Sequence, residues 1–246
     1  MRRWGVIAVA GALVLTGCGG DDDDVEQLYR EPTGVFFHNQ LIDDSGSGNE
    51  AADTTVDLIR SNDLSNPMFE SRPYSTTEQD GVAFKLDADS RNVLFDVNTT
   101  TTTLVDDASI TLAAGANYTL LLTGKLAGAG DQTPRLKAFR QTPATVAASQ
   151  VRVRFIHALG NDNSETVAVT VEGDPLVSAL SYTGVTSYFT GTPSLSNQLS
   201  ATVKVGSDAA VVRTCSVSTG NSYDVIIAHP APDSTGVALF CQQVAN

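Results

Sequence analysis

Apolar and polar residues alternate in short runs along most of this chain. Thr55-Val56-Asp57-Leu58-Ile59, Val93-Leu94-Phe95-Asp96-Val97 and Val167-Ala168-Val169-Thr170-Val171 each follow the two-residue period of a strand. Gly34, Asp80-Gly81, Gly115, Gly173-Asp174 and Gly220-Asn221 punctuate these runs as turns. Short alternating strands between regular turn signals predict an all-β chain folded as a sandwich or barrel. The exception is Trp4–Leu15, which is apolar or small throughout.

The same landmarks occur twice in the same order. Gly34-Val35-Phe36-Phe37-His38-Asn39 is matched by Val153-Arg154-Phe155-Ile156-His157-Ala158, and Tyr74 by Tyr182. Gly115-Ala116-Asn117-Tyr118 is matched by Gly220-Asn221-Ser222-Tyr223, and Ala138-Phe139-Arg140-Gln141 by Leu239-Phe240-Cys241-Gln242. Ordered recurrence predicts a duplication: two tandem immunoglobulin-like β-sandwiches, at 34–141 and 151–246. Residues 142–150 have linker composition. On this alignment Cys215 corresponds to Ile110 and Cys241 to Arg140, and His38 corresponds to His157.

The second copy resembles a known family. Val151-Arg152-Val153-Arg154-Phe155-Ile156-His157-Ala158, an acidic loop, Tyr182-Thr183-Gly184-Val185-Thr186-Ser187-Tyr188 and Gly220-x-x-Tyr223 look like the bacterial domain of unknown function family 4397. The resemblance covers most of the second copy and is weaker over the first. Its members are mostly envelope or secreted proteins, often tandem, so it implies fold and location but no chemistry.

The amino terminus supplies an address. Arg2-Arg3 precede the apolar run, which is shorter than the ~20 residues of a membrane-spanning helix and suits a signal peptide. The run ends in Leu15-Thr16-Gly17-Cys18, which resembles the lipobox of bacterial lipoproteins. The resemblance implies that residues 1–17 are removed and that Cys18 carries the lipid. Residues 18–33 then form a tether, with Asp21–Asp24 holding it off anionic headgroups by charge repulsion. Gly19, rather than Asp, follows the Cys, which under the enterobacterial sorting rule favours the outer membrane.

Charge and cysteine count narrow the rest. A formal net charge of −13 does not suit nucleic acid, whose phosphates need cations. With Cys18 lipidated, Cys215 and Cys241 remain as an even pair in an exported chain, read here as a disulfide.

Catalytic chemistry is not legible. No Gly-x-Ser-x-Gly elbow or phosphate-binding glycine loop occurs. His38 and His157 fall in separate units, and His229 precedes Pro230-Ala231-Pro232 and reads as exposed. Asp106-Asp107 would point to opposite faces of a strand. The candidates for binding are two acidic loops, represented by Asp43 and Asp44 and by Asn161, Asp162 and Asn163, which could hold calcium weakly. No other cofactor is expected. Tyr118 and Tyr223 suit tyrosine-corner-like roles, whereas Tyr74, Tyr182, Tyr188 and Phe189 would favour a glycan if they formed an exposed strip. The expectation is a lipid-anchored envelope protein with a non-enzymatic binding or scaffold role toward a glycan or envelope protein. The alternatives are a hydrolase or metal-dependent enzyme, and a structural spacer without a concave patch.

Overall fold

The computed structural model describes residues 30–42, 54–62, 66–160, 164–193 and 197–245. Cys18, Asp43, Asp44, Asn161, Asp162 and Asn163 lie outside them. The described residues form strands and short turns, among them the 3-10 turn Gly130–Gln132, with no α-helix. In the first unit the strands are β1 (Thr33–Ile42), β2 (Val56–Arg60), β3 (Phe69–Arg72), β4 (Gly81–Phe84), β5 (Ser90–Asn98), β6 (Thr103–Ala113), β7 (Asn117–Lys125) and β8 (Arg135–Arg140). In the second they are β9 (Val151–His157), β10 (Val167–Val171), β11 (Asp174–Leu180), β12 (Phe189–Gly191), β13 (Gln198–Val205), β14 (Val211–Ser216), β15 (Ser222–Ala228) and β16 (Ala238–Gln243).

The duplication extends to every strand. The first unit has sheets β4-β1-β7-β8 and β3-β2-β5-β6; the second has β12-β9-β15-β16 and β11-β10-β13-β14. In both units the first strand runs parallel to the seventh, Val35 beside Tyr118 and Val153 beside Tyr223. Each sandwich has its own apolar core. Phe37, Leu58, Phe95, Leu112 and Leu120 fill the first; Phe155, Val169, Leu199, Val203 and Val225 fill the second.

Local chemistry explains the recurrent landmarks. Gly115 and Gly220 have φ of 70° and 84°, the left-handed region where a side chain is strained. Each turn delivers a buried tyrosine whose hydroxyl reaches back five residues. Tyr118 Oη accepts the Ala113 N–H at 2.9 Å, and Tyr223 Oη accepts the Ser218 N–H at 2.8 Å. The tyrosine-corner expectation is met in both units.

Cys215 and Cys241 are joined, with Cα atoms 5.8 Å apart. The bond staples β14, at the edge of one sheet, to β16, at the edge of the other. Cys215 does correspond to Ile110. Cys241 corresponds to Ala138, not to Arg140, because Arg140 pairs with Tyr118 where Gln243 pairs with Tyr223. The first unit thus has partly buried Ile110 and Ala138, packed on its core, where the second has its disulfide.

The central strands differ from the alternating ones. All seven residues of β15 are buried, as are seven consecutive residues of β7 and nine of the ten in β1. A strand is buried on both sides only when both faces of its sheet are covered. Here the β4-β1-β7-β8 and β12-β9-β15-β16 sheets are packed against each other, through Leu121 and Phe139 on one side and Ile156, Ile226 and Phe240 on the other. The chain is a four-layer stack in which two sandwiches share a junction.

Candidate functional sites: the junction and a cleft in the first unit

The junction carries the chain's main buried polar network. Arg154 on β9 and Asp224 on β15 are neighbours in register. Arg154 donates through Nε to Asp224 Oδ1 at 2.7 Å and through Nη2 to Oδ2 at 2.9 Å. The same carboxylate accepts the Tyr188 hydroxyl at 3.0 Å and, from the first unit, the Thr119 hydroxyl at 2.6 Å. Gln141 donates to Thr119 Oγ1 at 3.1 Å and accepts the Ala245 N–H at 3.1 Å. Asp224 is wholly buried and fully hydrogen-bonded, as a buried charge must be. Burial alone would pull the Arg154 guanidinium down, but its hydrogen bonds to Asp224 and that charge raise it above its ordinary value.

The three histidines are all fully buried. His38 Nε2 lies 2.9 Å from Gln242 Oε1 across the junction. Burial pushes His38 down to about 4, against the opposing pull of the Gln242 hydrogen bond and the Asp224 charge. Burial also pushes His157 down to about 4, and His229 adds to the shift. No group satisfies hydrogen-bond geometry at either His157 ring nitrogen, although the backbone at Ser181 and Leu180 is near enough to oppose the shift. His38 and His157 are not counterparts. Register matches His38 with Ile156 and Asn39 with His157, so the two rings project to opposite faces. His229 is not exposed: its Nδ1 lies 2.8 Å from the Gly236 carbonyl oxygen.

The aromatics form no exposed strip. Tyr74 donates to the His229 carbonyl at 2.7 Å, and Tyr182 Oη lies 2.9 Å from Thr123 Oγ1, both across the junction. Tyr188 is stacked under Arg152 and Arg154, with the guanidinium carbons 3.6 and 4.8 Å from its ring centre.

The first unit has an open cleft of about 480 Å³ where β4 faces the β2–β5 pair. Arg60, Lys85 and Arg91 line it with Phe84, Leu86 and Leu94. Arg60 sits over the Phe84 ring at 5.2 Å. Leu94 is 42% exposed and gives the cleft an apolar wall. Asp87, which pairs with Arg91, and Asp107 also line the cleft. Three cations in one place stand out in a chain with 15 Lys and Arg against 28 acids.

Asp106 and Asp107 do not face opposite sides. Phe95 pairs with Ala108 and Val97 with Val105, so Asp96 alone opposes Asp106 and Asp107. This β-bulge, with Asp107 at φ 48°, gathers the three carboxylates to within 4.8 Å of one another. Among the described residues this is the one such acidic group. Oxygen donors of this kind suit a hard divalent cation. Asp96 is already held by the Ser61 hydroxyl at 3.0 Å and the Asp107 N–H at 2.8 Å.

The two acidic loops begin from neighbouring points. Ile42 is the last described residue before one, and Gly160 before the other. A methyl group on Gly160 would stand 3.1 Å from the Ile42 side chain. Sequence reasoning missed the junction, whose polar members look like solvent-facing positions, and the cleft, whose lining comes from four separate strands and their loops.

Comparison with curated proteins finds no match. The family match falls mainly on the first unit, taking in β2–β8, and includes only β9 and the residues just after it from the second. This inverts the emphasis of the sequence reading, which rested on the second copy. Residues 49–163, a little under half of the chain, match the family model described as domain of unknown function (DUF4397).

Proposed function

We propose that this chain is a lipid-anchored protein of the bacterial cell envelope, favouring the outer membrane, whose two fused sandwiches serve as a non-enzymatic binding scaffold. The observation that carries the binding part is the cleft bounded by Arg60, Lys85 and Arg91 over Phe84 and Leu94. A spacer needs no concave patch, whereas a site combining an apolar floor with a few placed polar groups is the usual form of a ligand pocket. The partner is an envelope glycan or protein. The scaffold part is supported by the junction, where hydrogen bonds between the units, such as those of Thr119 to Asp224 and Tyr74 to His229, join the two sandwiches.

The test is a pull-down from isolated envelope fractions with the soluble chain starting after Cys18. Wild type should retain an envelope component that the Lys85→Gln and Arg60→Gln variants lose. Retention of nothing by the wild type, or equal retention by all three, would defeat the cleft. The anchor is tested separately. Cys18→Ser should abolish lipid labelling and release the chain from membranes.

A further inference from the structure

The two inner sheets meet as images of each other. Because Val35 sits beside Tyr118 as Val153 sits beside Tyr223, residues 33–39 of β1 and 117–123 of β7 have counterparts in β9 and β15. Thr119 and Asp224 are counterparts, and they hydrogen-bond to each other at 2.6 Å. Leu121 and Ile226 are counterparts, and both belong to the apolar cluster of the junction. His38 meets Gln242 at 2.9 Å. Exchanging each for its counterpart gives Ile156 and Phe139, which belong to that same cluster.

The tyrosines repeat the pattern. Ser75 N–H donates to the Asn39 carbonyl as Thr183 N–H donates to the His157 carbonyl, which makes Tyr74 and Tyr182 counterparts. Each sends its hydroxyl into the opposite unit. A face where positions meet their own counterparts, and where counterpart residues occupy the junction from both sides, has the form of an isologous twofold interface.

We propose that the junction is a twofold dimer interface enclosed within one chain, and that it accepts a second copy of the chain. The first unit of one molecule would seat on the second unit of another, and the reverse, giving a reciprocally exchanged dimer. The surface is the same in both cases. Only the linker favours the unit's own partner, by raising its effective concentration. Most of residues 142–149 are exposed, so the linker can be altered without touching the core. The proposal is independent of any ligand in the cleft.

The test cuts the linker of the folded mature chain at a protease site placed within 142–149. The halves should stay together in gel filtration with their tyrosine near-ultraviolet circular dichroism unchanged. Cleaved protein with a size tag on its first unit is then mixed with untagged cleaved protein, and the tagged halves should appear on untagged second units. In uncut chains, progressive deletion within 142–149 should double the mass seen by light scattering. Separation of the halves on cleavage overturns the proposal, as does loss of the tyrosine signal, because an interface that needs its linker is not one a second copy can supply. Stable association without exchange, even after a cycle of unfolding and refolding, overturns it as well.

Discussion

Arg154 and Asp224 stand side by side on parallel strands, and the two oxygens of the carboxylate take four donors, one of them from the other sandwich. Removing one partner of a buried pair leaves the other charged and unsolvated, which costs about 3–5 kcal/mol. Asp224→Ala should therefore lower the unfolding free energy by about that amount in urea titration. Thr119→Val removes the hydrogen bond to the charged Asp224 together with the one accepted from Gln141 and should cost about 1.5–3 kcal/mol. A double-mutant cycle on the two should show coupling of about 0.5 kcal/mol or more, and simple additivity would contradict the contact.

Acid should weaken the fold through the histidines. His38 and His157 are held at about 4 by burial, against 6.5 for an ordinary histidine. The unfolded chain therefore binds these protons first, and stability is complete only above about pH 6.5. As pH falls from there toward 4, each group should remove about 1.4 kcal/mol per pH unit. Denaturation midpoints followed across this window should drop, and His38→Gln should flatten the slope by about half. A midpoint constant from pH 7 to 4 would contradict both burials.

The disulfide should matter to the second unit alone. Closing a loop with a sequence separation of 26 stabilises by about 3.5 kcal/mol in the chain-entropy model. The Cys215→Ala, Cys241→Ala double variant should lose about that much. Hydrogen exchange should then quicken in β14 and β16 more than in β6 and β8, which have Ile110 and Ala138 at the matching positions.

The paired tyrosine hydroxyls offer an internal control. Tyr118→Phe and Tyr223→Phe each delete one side-chain acceptor for a turn N–H and should each cost about 1 kcal/mol. Because the two corners are built alike, the losses should agree within about 0.5 kcal/mol. A large difference would mean that one corner is held by something else.

The sequence made the duplication legible where backbone geometry leaves little choice of residue. Gly115 and Gly220 recur because of their left-handed turns, and Tyr118 and Tyr223 recur because each closes the turn before it. Register was less legible. Matching His38 with His157 is a slip of one residue, and in a strand one residue exchanges the two faces. The junction was hidden for a related reason. In Tyr223-Asp224-Val225-Ile226, Asp224 sits where an alternating strand turns its polar side to water. A second sheet covers that side instead, and alternation alone does not distinguish water from a polar neighbour. Asp106 and Asp107 were misread because the bulge at φ 48° leaves no mark in the residue order. The cleft brings together Arg60, Phe84 and Arg91 from separate strands and their ends, which local pattern does not join.

Strand direction also gives the molecule two poles. Thr33, where β1 begins, lies at the same end of the inner sheets as Arg140, Val151 and Gln243, because Gly34 sits beside Asn117, Tyr118 beside Arg140, Val151 near Ser222 and Gln243 beside Tyr223. Ile42 and Gly160 lie at the other end. Ten residues of β1, at about 3.3 Å each, set these ends about 30 Å apart. A chain held at residue 18 would therefore be moored by one pole. The points from which its acidic loops depart would sit together at the other, one domain length farther from the bilayer.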